Sequence, residues 1–357
     1  MTPCPLFIEL CAGTAALSLR LHRARARPPV SRMGAKTGYA DVLLGLMGLA
    51  PGQGARDGTR YLWSEPDPGV RLLLEAYRDA GLARAAADII RGWAGEDPRA
   101  LWERLRAEGA PRGLPADLCL RWLSYGQDPD RGFRATAGGT WPDRPPEVGS
   151  VAERTEGLPT LPAEVHPDAR AVEPREVARW ALLGEWAFRR GEPGSGPAGE
   201  TRWANGPWRN AAGEVVATRV GLTAEAMSGR WGLPTLPADI APDARTIDPG
   251  PCLPVGTWVF IDPPYQGTTG YGHDLPRSEV VALARRWAEA GAGVMVTEAE
   301  AIPELVAEGW HAVEYDHGRV GQRRTFSRQQ REVATMSRAP GRVDRLGVQT
   351  GMFGGGA

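Results

Sequence analysis

The chain has 357 residues, with 42 Lys and Arg against 43 Asp and Glu, and its formal net charge is −1. This length allows one large domain with an insertion or two domains, and the balanced charge excludes binding of nucleic acid through an overall basic field. Local basic patches must therefore supply any such contact. Four cysteines without a CxxC pair indicate neither a disulfide framework nor a zinc site. The start lacks a signal-peptide pattern and no apolar run is long enough to span a bilayer, so we expect a soluble cytoplasmic protein.

The first predicted element is a strand, a tight turn and a helix over residues 6–19. Phe7 and Glu9 lie in the strand, and Cys11 and Gly13 lie in the turn. Small residues let a ligand approach the backbone of such a turn, and the start of the helix presents N–H groups. The segment is therefore a candidate cofactor loop, although an ordinary βα unit explains it equally well when it is taken alone.

A basic stretch without acidic residues follows, from Arg20 to Lys36, and includes Arg32. It is typical either of a solvated loop or of a loop that faces phosphates. Lys36 is the only lysine in a chain whose other basic residues are arginines, which singles it out as a candidate on the cofactor or phosphate side.

A second strand is predicted over residues 61–64 and ends in two acids, Glu65 and Asp67, before a helical pattern from Val70 to Tyr77. A carboxylate at the tip of the second strand of a nucleotide-binding sheet can accept both ribose hydroxyls. Asp67 fits better as the N-cap of the helix that follows.

The middle of the chain, residues 79–250, reads as helices followed by irregular sequence. It contains a duplicated segment, residues 157–170 and 232–245, and two copies indicate a local duplication and not a solenoid. Arginines and tryptophans alternate over residues 180–209, which suits either a nucleic-acid surface or a small separate core. We interpret the whole region as an insertion that recognises a target.

The most informative segment is the apolar run Trp258–Ile261 followed by Asp262, Pro263, Pro264 and Tyr265. The run predicts a buried parallel strand, and the two prolines end it stiffly. The carbonyls of Asp262 and Pro263 are then available to accept from a ligand, and the Tyr265 ring lies beyond the turn. Carboxylate, carbonyls and ring together suit a flat heterocycle that carries an exocyclic amine.

The remaining pattern completes an α/β alternation. A helix is predicted over residues 280–287 and strands over 293–298, 310–315 and 331–336, with a basic loop that contains Arg323 and Arg324 between the last two strands. Strands and helices that alternate at both ends of the chain predict a doubly wound sheet. The glycine-rich residues 339–357 predict a disordered tail.

Four of these segments carry a resemblance to a known family. Residues 262–265 resemble the Asp-Pro-Pro-Tyr motif of S-adenosylmethionine-dependent DNA N6-adenine methyltransferases of the Dam-like class. Phe7, Glu9 and Gly13 match that family's cofactor segment, although Thr14 and Ala15 replace two usual glycines. The segment around Lys36 is similar to the family's Gly-Gly-Lys segment, which normally precedes the cofactor turn and here follows it. Residues 64–68 match the family's Ser-acid-x-x-Pro run, and this match implies Glu65 as the ribose acceptor, ahead of Asp67.

The resemblance implies an α/β fold, a doubly wound Rossmann-like class I methyltransferase sheet built from residues 1–78 and 251–338, with residues 79–250 as the target-recognition insertion. It implies no metal, and S-adenosylmethionine as the cofactor. The implied residues are Asp262, Pro263, Pro264 and Tyr265 for catalysis; Phe7, Glu9, Cys11, Gly13, Lys36, Glu65, Asp248 and Asp262 for the cofactor; and Arg32, Arg134, Arg323 and Arg324 for DNA.

The implied activity is methylation of the adenine N6 amine in double-stranded DNA, with the target base flipped out of the helix. A restriction endonuclease is a further partner that this class allows. Two alternatives stay open, namely methylation of the cytosine N4 amine, which uses the same chemistry, and a catalytically inactive DNA-binding relative, which the reduced glycine content of the turn would suit.

Overall fold

The computed structural model describes residues 5–24, 26, 28–30, 36–124, 129–130, 132–133, 208–209, 215–217, 224, 227–228, 233–265, 275–315 and 332–341. Packing divides the chain into two compact units, one formed by residues 1–83 and 232–357 and the other by residues 84–231. The expected boundaries were at 78/79 and 250/251. The second division falls earlier because a strand before residue 250 pairs with the main sheet.

The strands in chain order are β1 (Leu6–Leu10), β2 (Arg60–Ser64), β3 (Trp208–Arg209), β4 (Val215–Ala217), β5 (Ala238–Ala241), β6 (Trp258–Ile261), β7 (Gly293–Glu298), β8 (His311–Tyr315) and β9 (Glu332–Met336). Seven of them form one sheet in the order β5-β2-β1-β6-β7-β9-β8. The first five in this order run parallel, and β9 is antiparallel to both β7 and β8. This is a mixed, mostly parallel α/β sheet compatible with a Rossmann-like fold.

The helices are α1 (Ala16–His22), α2 (Ala40–Leu46), α3 (Gln53–Asp57), α4 (Pro68–Arg78), α5 (Ala80–Gly92), α6 (Pro98–Ala107), α7 (Leu114–Leu123), α8 (Arg277–Glu289) and α9 (Pro303–Ala307), with short 3₁₀ turns at Lys36–Gly38 and Ala244–Thr246. Over the residues that the structure describes, none of these helices has the length and apolar character needed to cross a bilayer.

Strand β1 shows how the sheet is buried on both faces. Ile8 and Leu10 belong to a core that includes α8, whereas Glu9, on the opposite face, accepts a hydrogen bond from α1. Because successive side chains of a strand point to opposite faces, helices on both sides require the nearly continuous apolar runs seen in β1, β6 and β7. The sequence therefore predicted these strands correctly.

Strand β5 is an element of the main sheet that sequence analysis missed. It lies in the second copy of the duplicated segment, between Pro237 and Pro242, and proline is unfavourable in a central strand. In the fold it is the edge strand next to β2, where proline is tolerated because one side needs no ladder hydrogen bonds. The first copy of the duplication lies outside the described residues.

The predicted disordered tail begins within the described residues. Its third residue, Gly341, donates its backbone N–H to the carbonyl of Leu46 at 2.7 Å, so the chain is held against α2 up to that point. Residues 342–357 lie outside the described part.

The described part of the second unit consists mainly of α6, α7 and most of α5. Leu101 and Leu105 of α6 are fully buried, and α7 buries an Asp117–Arg121 ion pair at 2.6 Å. Residues 208–209 and 215–217 form a separate two-stranded sheet. Most of the arginine- and tryptophan-rich segment lies outside the described residues, so its two interpretations stay predictions.

Candidate active site

One edge of the sheet collects the predicted functional residues. Strands β1, β2, β6 and β7 are parallel, so their carboxyl ends lie at this edge, and the antiparallel β9 begins there. Ligands of open α/β sheets bind outside the carboxyl ends of the strands. Two turns leave the sheet here, a first turn over residues 11–15 after β1 and a second turn over residues 262–265 after the adjacent β6.

The first turn is built from backbone in left-handed conformations. Cys11, Gly13 and Ala15 have φ angles of 60°, 51° and 48°, a region that costs a residue with a Cβ roughly 1–2 kcal/mol. A Cβ placed on Gly13 would meet no atom of the described residues within 4 Å, so this part of the chain leaves the space beside the turn open. Strain held at two non-glycine residues next to open space is typical of a functional turn.

Glu9 supports this turn from beneath. Its side chain is buried, and its Oε1 accepts the backbone N–H of Ser18 at 2.7 Å, in the first turn of α1. Burial is the largest cause that raises the pKa of Glu9 to about 7, and the nearby Asp262 adds to it, while hydrogen bonds from Ser18 oppose it. Glu9 thus holds α1 to β1, and a direct contact with a cofactor stays a prediction.

Glu65 follows β2 and joins it to the first turn. Its Oε2 accepts the N–H of Gly13 at 2.8 Å, and its Oε1 accepts the N–H of Asp67 at 3.1 Å. Asp67 itself accepts from Gly69 and Val70, which confirms it as the N-cap of α4. A carboxylate fixed between the first turn and the start of α4 is well placed for the predicted ribose contact.

The second turn makes its main contacts with charged side chains. Lys36 is 4% exposed, and its Nζ lies 2.8 Å from Oδ1 of Asp262. The Thr297 hydroxyl of β7 donates to the same oxygen at 2.7 Å, so the carboxylate has a fixed orientation. The Lys36 ammonium also lies 4.8 Å from the centre of the Tyr265 ring, a cation–π distance.

Glu332, the first residue of β9, completes this group. Its Oε2 accepts from the hydroxyl of Tyr265 and, at 3.3 Å, from that of Tyr315, and lies 3.8 Å from the Lys36 ammonium. We call Lys36, Asp262, Tyr265 and Glu332 the amine cluster. Burial raises the pKa of Glu332, which Lys36 and the Tyr265 hydroxyl partly oppose, and burial also raises the pKa of Tyr265.

The amine cluster bears on the two positions predicted for Lys36, the cofactor side and the phosphate side. Its ammonium is buried and paired with Asp262, whereas a contact with a DNA phosphate requires an accessible ammonium, and the position on the cofactor side stays a prediction. The electrostatic reason for the pairing is that a buried lysine needs a carboxylate partner, and the second turn supplies one.

A nucleotide-like cofactor has suitable partners beside the first turn. The hydroxyls of Thr14 and Ser64 are buried and have no hydrogen-bond partner within the described part of the chain, and both flank the Gly13–Glu65 contact. Buried polar groups are normally satisfied, so the two hydroxyls fit a polar ligand that enters beside Gly13, where the described residues leave space. S-adenosylmethionine, with its ribose hydroxyls and charged amino-acid group, is chemically compatible with this set.

Two predicted cofactor residues lie elsewhere in the described fold. Phe7 lies in the amino-terminal half of β1, where its ring packs edge-on against Tyr61 in the core. Asp248 was expected on the strand before β6, but β5 has already ended at Ala241, so Asp248 is an exposed loop residue. Its carboxylate accepts the backbone N–H of the nearby Gly250. The four predicted DNA contacts, Arg32, Arg134, Arg323 and Arg324, lie outside the described residues.

Sequence analysis missed two contributors. Thr297 lies within the buried β7 run, and nothing in its spacing marks it. Glu332 carries a weak signal, because an acid opens a strand whose other residues are apolar except Thr335, and it becomes buried. A charged residue in a buried strand is unusual without a partner.

Comparisons with known protein families and curated proteins find no relative of this chain, so the interpretation of the site depends on its geometry. The chain matches no known protein-family model. A search of curated proteins likewise finds no sequence with significant similarity to it.

Proposed function

We propose that this protein is a DNA methyltransferase that acts on the N6 amine of adenine, with S-adenosylmethionine as the methyl donor. The observation that carries the proposal is the Lys36 ammonium, held by the Asp262 carboxylate and the Tyr265 ring. These are the contacts that an exocyclic amine on a flat base would require, a carboxylate acceptor and an aromatic face. The second turn is therefore able to bind a nitrogen donor.

The sheet supports the proposal. Its reversed strand, β9, is inserted between β7 and β8 at one edge of an otherwise parallel sheet, and this mixed sheet is compatible with the Rossmann-like fold that the proposal requires. The first and second turns follow the two central strands, β1 and β6. A cofactor beside one turn and an amine beside the other would therefore be neighbours.

In this mechanism the protein mainly positions the reactants. Glu65, Gly13 and the hydroxyls of Thr14 and Ser64 would hold the cofactor, which supplies an electrophilic methyl group when bound. The target base leaves the duplex at a cost of a few kcal/mol and stacks on Tyr265. Asp262 and the Pro263 carbonyl accept from its amine and orient the nitrogen lone pair, with Thr297 holding the carboxylate in place.

The test is mass spectrometry of nucleosides from DNA of a methylation-deficient bacterium, incubated with the protein and methyl-labelled S-adenosylmethionine. We expect labelled N6-methyladenine, and Asp262→Ala should lower its yield at least about a hundredfold because the acceptor for the amine is lost. The matched control is Asp57→Ala, which removes an exposed carboxylate at the end of α3 and should keep full activity.

Other outcomes distinguish the alternatives. Label on N4-methylcytosine would replace adenine by cytosine as the target. No label on any DNA, together with no S-adenosylmethionine binding in calorimetry, would overturn the proposal and favour the inactive DNA-binding relative.

A further inference from the structure

Glu332 is placed to serve the amine cluster although it lies on the reversed strand. Glu332 pairs with Tyr315, the last residue of β8, across the β8–β9 ladder, and its carboxylate is almost fully buried. One oxygen, Oε2, receives both tyrosine hydroxyls and faces the Lys36 ammonium. A buried carboxylate needs such partners, because burial disfavours its charge.

Lys36 occupies both contacts that the proposed substrate requires. Its Nζ takes the Asp262 carboxylate at 2.8 Å and covers one face of the Tyr265 ring. A base amine that uses this carboxylate and this face must therefore displace the ammonium. A buried ammonium without a carboxylate is strongly unfavourable, so Lys36 needs a second partner before it can move.

We propose that Glu332 is the positioning residue that receives Lys36 when a substrate amine takes Asp262, while it holds the Tyr265 ring through its hydroxyl. The Lys36 distances to the two carboxylates differ by only about 1 Å, so a small displacement exchanges the partners. The inference rests on the proposed function, because it requires an amine substrate.

Charge balance gives a sharp mutational test. Glu332→Gln keeps an acceptor for the Tyr265 hydroxyl but removes the charge that would receive Lys36, so the KM for DNA should rise at least about tenfold with a smaller change in kcat. Lys36→Met leaves Asp262 and Glu332 as neighbouring carboxylates and should also impair the enzyme. The double variant removes one charge of each sign and leaves Asp262 available, so it should be more active than Glu332→Gln alone.

Two controls separate this role from a general structural one. Tyr315→Phe removes the other hydroxyl from the same Glu332 oxygen without touching Lys36, and the KM for DNA should change much less than in Glu332→Gln. Glu308→Gln changes an exposed glutamate that pairs with Arg285 on the surface, and it should leave KM and kcat unaltered. Additive losses in the double variant would overturn the inference.

Lys36 also offers a direct spectroscopic test, because it is the only lysine in the chain. Labelling with ¹³Cε-lysine gives one side-chain signal, and Asp262→Asn supplies its reference position when Glu332 is the remaining charged partner. Saturation with 2′-deoxyadenosine and S-adenosylhomocysteine should move the wild-type signal towards that reference, and Glu332→Gln should abolish the movement.

The possible failures are distinguishable. A signal that stays in place while DNA is methylated would mean that the substrate amine uses the other Asp262 oxygen, which overturns the inference and leaves the proposed function intact. Absence of methyl transfer to every DNA would overturn the proposed function and the inference with it.

Discussion

Carboxylates at the first and second turns have different kinds of hydrogen-bond donor. At the first turn the carboxylates of Glu9 and Glu65 accept backbone N–H groups, from Ser18, Gly13 and Asp67. At the second turn the carboxylates of Asp262 and Glu332 accept from side chains, an ammonium and three hydroxyls. The first pair fixes the path of the chain, whereas the second pair creates a cluster whose charges can be rearranged.

This difference indicates a division of labour between two adjacent strands. A turn fixed by its backbone keeps one shape, which suits a cofactor that approaches the main chain beside Gly13. A turn lined by a carboxylate, an ammonium and an aromatic ring can exchange partners, which suits the reacting amine. This division of roles would be contradicted if substitutions at the first turn changed the rate of methyl transfer as strongly as substitutions at the second turn.

The largest expected effect at the first turn is on the pH dependence of stability, through Glu9. Its folded pKa of about 7 exceeds the ordinary value of 4.5, so the folded state binds more protons than the unfolded state between these pH values. The stabilisation is complete below about pH 4.5 and is lost as the pH rises through 7. Because each pKa unit corresponds to about 1.36 kcal/mol, this group should lower the free energy of unfolding by about 3 kcal/mol across that window.

Urea unfolding at pH 5 and pH 8 tests this expectation. Glu9→Gln cannot titrate at this position, so the stability difference between the two pH values should shrink by about that amount. Glu308→Gln, at an exposed position on the surface of the same unit, should leave the wild-type difference unchanged. Equal pH dependence in wild type and Glu9→Gln would show that Glu9 does not carry the buried proton.

Much of this architecture could be predicted from sequence. The apolar runs of β1, β6 and β7 and the polar turn after β6 are local patterns, and they placed Asp262 and Tyr265 correctly at a strand end. The approach of Lys36 to Asp262 was beyond such patterns, since 226 positions separate the two residues and the contact forms only through the tertiary fold. Glu332 was missed for the same reason, because β9 enters the sheet beside β7 and ahead of β8.

A smaller effect is expected for Gly13→Ala, which adds one methyl group to the first turn and tests whether the cofactor lies beside it. The φ angle of 51° disfavours a Cβ, so the free energy of unfolding should fall by roughly 1–2 kcal/mol, with no steric clash because the space is open. The methyl group would enter the space assigned to the cofactor, and S-adenosylmethionine affinity in calorimetry should fall about tenfold.

Gly309→Ala is the matched control for this change. Gly309 also has a positive φ, 89°, and open space around its Cβ position, but it follows α9 away from both turns. It should lose similar stability and keep full cofactor affinity. Equal affinity losses in the two variants would remove the cofactor from the first turn.

The smallest effect is expected for Thr14→Val, and it separates ligand binding from folding. The Thr14 hydroxyl is buried with no partner among the described residues, so replacing it by an isosteric methyl group should leave the free energy of unfolding unchanged or raise it by up to about 1 kcal/mol. If the hydroxyl serves the cofactor, S-adenosylmethionine affinity should nevertheless fall by about fivefold, within the range of a single hydrogen bond.

Thr257→Val provides the opposite case. Its hydroxyl donates to the Pro254 carbonyl at 2.7 Å, so its loss should cost about 1 kcal/mol of stability and leave cofactor affinity unaltered. Thr257→Val should therefore lower stability without changing cofactor affinity, whereas Thr14→Val should lower cofactor affinity without lowering stability. Loss of stability in Thr14→Val without loss of affinity would mean that the hydroxyl is satisfied within the folded chain, and the first turn would then lack the polar partner that the proposed cofactor requires.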